Sequence, residues 1–316
     1  MSLRPFRFGV QVSALPPATW RDDARRIESQ GYSTLFLPDH FGKQWDPTVA
    51  LTAVATATGR LNVGSLVYDV DYRHPVVFAK AAATLHVVSG GRHEFGIGAG
   101  WMETDYVEAG MPYDRPGVRI GRLDEALQII RSMWANERTT FDGEHYTIRN
   151  IAQATHLAAG ERPKVLIGGG GKRLLSLAGR HADIVGINPA MIEGKITAAT
   201  PADSAPERVR EKVGWVRAAA ERAGRDPAEI EFNSLSFVTA ITDDPKPLRE
   251  ALSKNTGMTV EQVADCPLFL TGPASEIRDR LERRREETGI SYVVIQGGDA
   301  RVLEQFAAEI VAPLAG

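Results

Sequence analysis

Eight short apolar runs recur along the chain, and a helix-length segment separates nearly every one from the next. The runs are Phe6–Val12, Ser33–Leu37, Leu61–Val67, His93–Ile97, Pro163–Gly168, Ala182–Ile187, Ile230–Ile241 and Tyr292–Gln296. The intervening segments read as helices over Ala18–Gln30, Pro47–Thr58, Pro75–Ser89, Asp114–Glu137, Lys172–Arg180, Pro206–Ala223 and Pro273–Thr288, with a last one at Arg301–Leu314. Parallel strands need such crossovers, and each crossover is right-handed. Eight strand-helix repeats predict a (β/α)8 TIM barrel rather than an open sheet. A doubly wound sheet is the second architecture, because the glycine run after Ile167 would also suit one. With no composition break, residues 1–316 read as a single barrel domain.

The segment Asp114–Glu137 carries the clearest helical period, with Ile120, Leu123, Leu127, Ile130 and Trp134 on one stripe. Asp142-Gly143 between β-prone residues marks a hairpin over Thr139–Ile148. Insertions are expected in the later βα loops: Ala190–Ala205 has no period, and Asp243–Pro267 has room for one or two short helices.

Composition closes off several classes. A net charge of −3 with 24% charged residues offers no basic face for nucleic acid or an anionic membrane. The single Cys266 forbids an internal disulfide and a cysteine metal site, and it suits a reducing cytosol. The seven His are not spaced as ligands, so no metal is expected. Met1–Phe8 is no signal peptide and no run has the length of a membrane span, which predicts a cytoplasmic protein.

In a barrel, the chemistry gathers at the C-terminal ends of the strands. Three such ends stand out. The segment Gly168–Lys172 joins a strand to a helix through four glycines, putting bare N–H groups at a positive helix end, which is a phosphate site on physical grounds. Asp39-His40, with Trp45 nearby, offers an acid–base group and a carboxylate. Ser65-Leu66 lies where a strand can bulge toward a ligand. Tyr68, Asp69, Tyr72 and Arg73 crowd its exit, and Trp101, Glu103 and Tyr106 crowd the next. Aromatic walls of this kind suit a flat ring system.

Three stretches together resemble the luciferase-like oxidoreductase superfamily: the Pro38–Phe41 strand end, Gly64–Gly110, and Pro163–Asn188. They look most like its members that use the deazaflavin coenzyme F(420). The resemblance implies a homodimer with the ring at the barrel mouth, acting in hydride transfer. It further implies a non-prolyl cis peptide behind the ring, matched here to Ser65–Leu66. Asp39 would meet the ring's polar edge, and His40 would be the acid or base. Ala99 and Gly100 would form the turn beside the ring. Gly169, Gly170 and Gly171, with Lys172, would hold the coenzyme phosphate. Trp45, Tyr68, Trp101 and Glu103 would shape the substrate pocket. Some sugar-phosphate dehydrogenases of the group place a Glu just after that turn. Trp101 stands there in this chain, which argues against a sugar phosphate. An FMN-dependent monooxygenase using oxygen and a non-catalytic flavin-binding barrel are the alternatives.

Overall fold

A computed structural model describes residues 3–153, 157, 160–190 and 200–315. Eight parallel strands close into a ring: β1 (Arg7–Gln11), β2 (Thr34–Leu37), β3 (Asn62–Ser65), β4 (His93–Gly98), β5 (Lys164–Gly169), β6 (Ile184–Ile187), β7 (Glu231–Ser236) and β8 (Ile290–Gln296). Each pairs with its neighbours in sequence order, and β8 returns to β1 in the register Gly9 to Val294. The helices facing the barrel are α1 (Trp20–Ser29), α2 (Pro47–Ala57), α3 (Pro75–Val88), α4 (Pro116–Ala135), α5 (Lys172–His181), α6 (Pro206–Arg222), α7 (Ala274–Thr288) and α8 (Ala300–Phe306). The expected (β/α)8 barrel is the architecture observed.

Local chemistry explains the boundaries. Proline opens α2, α3, α4 and α6, where its missing N–H costs nothing. Gly31 lies just beyond α1 and Gly289 directly after α7, both at positive φ, the conformation in which a helix commonly stops. The stripe on α4 buries Leu123, Leu127, Ile130 and Trp134 against the sheet, with Ile120 half-buried at its edge.

Two large apolar layers fill the space between strands and helices. A smaller cluster of Phe36, Leu166, Ile184, Tyr292 and Val294 fills the barrel itself. The N-terminal end of the barrel is closed by charge. Arg7 pairs with Glu94 at 2.6 Å and Glu231 at 2.7 Å, and its guanidinium stacks 3.5 Å from the centre of the Tyr292 ring. Each buried carboxylate is hydrogen-bonded as well as paired, as a charge in a core requires.

Four details differ from the sequence reading. The third strand ends at Ser65 rather than Val67, and Tyr68–Asp69 then pairs separately with Ile97–Gly98. The expected seventh strand, Ile230–Ile241, is two strands. Phe237 leaves the barrel ladder to donate to the Leu268 carbonyl, so Val238–Ile241 pairs with Phe269–Gly272 instead. That last strand was not anticipated, because it abuts the polar Asp243–Pro267 segment. The latter does hold two helices, Lys246–Thr256 and Val260–Asp265. The final helix passes through a π-turn over Ala307–Val311. Of the Ala190–Ala205 loop, residues 191–199 lie outside the described residues.

Candidate active site

Helices α2 to α5 all start on the same side of the barrel, at the strand C-termini, and the site is built there. The bend after β3 is its first element. Ser65 Oγ donates to the Leu37 carbonyl at 2.9 Å, and the Leu66 N–H donates to the same carbonyl at 3.0 Å. The β2 ladder therefore holds the chain through the Leu66 amide. The cis bond is Leu66–Val67, one residue beyond the expected Ser65–Leu66, at the first peptide that the ladder leaves free. The Gln11 amide reaches across from β1 and donates to the Leu66 carbonyl at 2.6 Å.

Strand β4 makes room for this bend with alternate glycines. A Cβ on Gly96 would strike the Ser65 carbonyl, and one on Gly98 would lie 2.8 Å from Val67. At Gly100 it would strike Tyr106 Oη and the Asp69 carboxylate, and φ there is +67°. Only glycine fits that third position, by space and by conformation.

Beside the turn, four carboxylates gather around two arginines. Arg73 holds Asp39 with a fork of 2.6 and 3.1 Å and reaches Asp46 at 2.9 Å. Arg122 holds Asp71 with a fork of 2.7 and 2.9 Å. Asp69, between them, pairs with no arginine among the described residues. It accepts from the Tyr106 hydroxyl at 2.8 Å and the Asp71 N–H at 3.0 Å, and is 7% exposed. Burial, with the like charges of Asp71 and Asp39, pushes its carboxyl up to about 6, against the opposing pull of those two donors.

His40 stands at the end of β2. Its Nδ1 lies 2.6 Å from Asp105 Oδ2, and the Tyr72 hydroxyl donates to the same oxygen at 3.1 Å. The Trp101 ring meets the imidazole edge-on at 5.5 Å. Asp105 thus orients the ring and leaves Nε2 for a reacting group. Sequence reading missed Asp105. It sits on the short helix Glu103–Glu108, buried beside exposed Glu103, and no spacing rule marks it.

At the opposite wall, β5 runs through Gly169 and Gly170 to Gly171, which caps α5 with no side-chain hydrogen bond. A Cβ on Gly170 would collide with the Pro189–Ala190 backbone. The first-turn N–H groups of α5 therefore stay open to an anion. The exposed Lys172 ammonium lies 5.8 Å from the Trp215 ring centre. Below this loop, fully buried Lys212 donates to the Asn188 carbonyl at 2.9 Å and the Asp203 carboxylate at 2.7 Å. It ties the loop after β6 to α6, another residue the sequence did not single out.

Other expected residues are placed as follows. Ala99 is buried in the turn beside Gly100. Tyr68 does not face a pocket: it is 2% exposed and packs on Phe78 and Phe95 in the layer behind the strands, because Tyr68 and Asp69 alternate in a strand. Trp45 is half-buried against the apolar layer, Trp101 is exposed beside His40, and Glu103 is exposed on its helix. Cys266 is buried, and burial raises its thiol, so it is no nucleophile. Among the described residues, no acidic, His or Cys cluster could hold a metal ion, and no helix is long and apolar enough to cross a membrane.

The profile of the luciferase-like monooxygenases matches residues 2–289. The chain belongs to the luciferase-like monooxygenase family. Within this family it is 32% identical over 191 residues to an F(420)-dependent glucose-6-phosphate dehydrogenase of Kineococcus radiotolerans. That alignment covers 57% of this chain and 56% of the relative, so the chain spans about half the length of that relative. A solved F(420)-dependent secondary alcohol dehydrogenase, in complex with an F(420)-acetone adduct, superposes with a TM-score of 0.79 over 98% of both chains at 18% identity. EDTA monooxygenase from Chelativorans sp. BNC1 superposes with a TM-score of 0.78 at 16% identity, over 98% of this chain and 94% of that one. Both likenesses concern the luciferase-like fold.

Proposed function

We propose that this luciferase-like protein is an oxidoreductase that takes coenzyme F(420) at the barrel mouth and transfers a hydride between it and a small organic substrate. The observation that carries this reading is the pairing of His40 with Asp105 opposite an uncapped glycine loop. One wall can work on a proton while the other holds a phosphate. The match to F(420)-dependent relatives supports the choice of coenzyme.

The residues present fit the coenzyme. At Gly171 nothing lies within 4 Å of the place a Cβ would take, and the uncapped first-turn N–H groups of α5 beside it complement a phosphate. Gly169, Gly170, Gly171 and Lys172 would hold that phosphate. Ser65, Leu66, Ala99 and Gly100 would back and flank the ring, and Asp39, held rigid by Arg73, would face its polar edge. The deazaflavin supplies a two-electron hydride step and no more. The chain supplies position and proton. With Nδ1 engaged by Asp105, His40 would present Nε2 to the substrate oxygen, giving or taking the proton that accompanies hydride movement. Trp101, Trp45 and Glu103 would border the substrate. A sugar phosphate is disfavoured because Trp101 stands where some sugar-phosphate dehydrogenases of the group place a glutamate.

We read the working form as a homodimer. Helix α2 has no charged residue and α3 has one lysine, yet Val49, Val77, Val87 and Val88 are 48–72% exposed. Sedimentation tests this, and a monomer at micromolar concentration overturns it.

The coenzyme assignment is tested by titrating the protein with F(420) and with FMN, following ring absorbance and fluorescence. Micromolar F(420) binding with no FMN binding supports it. The reverse result points to the FMN-dependent monooxygenase. Tight binding without turnover on any alcohol, aldehyde or ketone panel points to a binding protein.

A further inference from the structure

A second basic cleft adjoins the phosphate loop. It has a volume of about 420 Å3 and lies between the N-terminus of α4, the first turn of α5 and the tip of the 138–152 hairpin. Arg115, Arg173 and His145 line it, with Glu144 as the one carboxylate. Resting on the proposed coenzyme, we infer that this cleft binds the carboxylates of the coenzyme's oligoglutamate tail.

Two features show that the cleft is built. The first is a pair of glycines one turn apart on α4. Glycine within a helix is unfavourable relative to alanine, so each position needs a reason. A Cβ on Gly117 would lie 2.8 Å from Arg173 Nη1, and one on Gly121 2.8 Å from His145 Nε2. The bare face of the helix gives both basic side-chain ends room in the cleft, where a methyl group would push them aside. The second is the hairpin tip. The N–H groups of Glu144, His145 and Tyr146 all donate to the Glu125 carboxylate, at 2.7 to 3.0 Å. One helical side chain thereby fixes the loop that carries His145.

Charge then selects the occupant. Among the described residues, neither Arg115 nor Arg173 has a carboxylate within ion-pair distance, unlike Arg73 and Arg122 at the mouth. A guanidinium fork matches a carboxylate. Arg173 is the second residue of α5, one position past Lys172, so an anion held at the loop continues directly into the cleft. A chain of carboxylates attached to that phosphate is the ligand of matching charge and reach.

The test compares two forms of F(420), one with a tail of several glutamates and one with none, by quenching of ring fluorescence in low salt. Wild type should bind the tailed form about tenfold more tightly, the size expected of two exposed charge pairs. Arg115→Ala combined with Arg173→Ala should bring the ratio close to one. Both side chains are exposed, so the fold should survive. Glu144→Gln should raise the ratio. Equal affinity of wild type for the two forms overturns the inference while leaving the coenzyme assignment standing, as does a double variant that keeps the tenfold preference. Failure of every form to bind, including the ring precursor that lacks phosphate and tail, overturns both.

Discussion

Asp69 is a buried carboxylate of the mouth that pairs with no arginine among the described residues, and its titration should be visible in the stability of the whole barrel. In the folded chain its carboxyl is pushed up to about 6, from the ordinary value of 3.8. The folded state therefore holds this proton more tightly than the unfolded state. Below about pH 4 both states are protonated and Asp69 has no effect. Between pH 4 and 6 only the unfolded chain ionises, so stability falls as pH rises. Above pH 6 the cost is complete, at about 3 kcal/mol for a displacement of this size. Asp69→Asn removes the titration and keeps most of the contacts. The amide oxygen can still accept from the Asp71 N–H, and the Tyr106 hydroxyl retains Asp71 Oδ2 at 3.0 Å. A constant loss of about 1 kcal/mol for the altered hydrogen bonds is expected at every pH. Urea unfolding of both proteins from pH 4 to pH 8 separates the two effects. The variant should be the less stable at pH 4 and the more stable at pH 7, with the difference moving by about 3 kcal/mol. A difference that stays constant within about 0.5 kcal/mol across that range would refute the account of a carboxyl stranded between two paired neighbours.

Three further expectations follow from the geometry. His40→Ala should lower turnover by about a hundredfold or more while coenzyme affinity moves less than threefold, and Asp105→Asn should lower kcat by about tenfold with KM nearly constant; steady-state rates and coenzyme titration check both, and unchanged turnover in either removes that residue from the mechanism. Gly100→Ala should destabilise the barrel by about 2 kcal/mol or more, since its methyl meets Tyr106 and Asp69 at a positive φ; urea midpoints decide, and a neutral result means that the turn can reshape. Lys212→Met should cost about 2 kcal/mol, because the Asn188 carbonyl loses its buried donor and, among the described residues, Asp203 keeps only Arg208 as a cation; thermal melts decide, and a shift under about 1 °C would make the tie between α6 and the β6 loop superfluous.

The alternation of apolar runs and helices was enough to reach the barrel, because each βαβ unit constrains the next and only the count remains free. The glycine loop was equally legible, since four glycines before a helix start mean open N–H groups wherever they occur. The bend after β3 was located to within one peptide. Its register depends on the Leu66 amide staying in the β2 ladder, a long-range contact that no local pattern reports. Asp105 and Arg73 were harder for the same reason. Their partners, His40 and Asp39, lie 65 and 34 residues away in the chain, and charged loop residues look alike before the fold brings them together. Tyr68 belongs to the core rather than the pocket because an aromatic side chain beside a candidate site suits both until the strand alternation is fixed.

The charged floor of the barrel has a consequence for kinetics. Among the described residues, Arg7, Glu94, Glu231 and Tyr292 fill one end of the barrel. On the proposed function, coenzyme and substrate would share the opening at the other end, and the one seated deeper would arrive first and depart last. Initial-rate plots should accordingly show a compulsory order, with the coenzyme as the leading ligand and the substrate unable to bind productively without it.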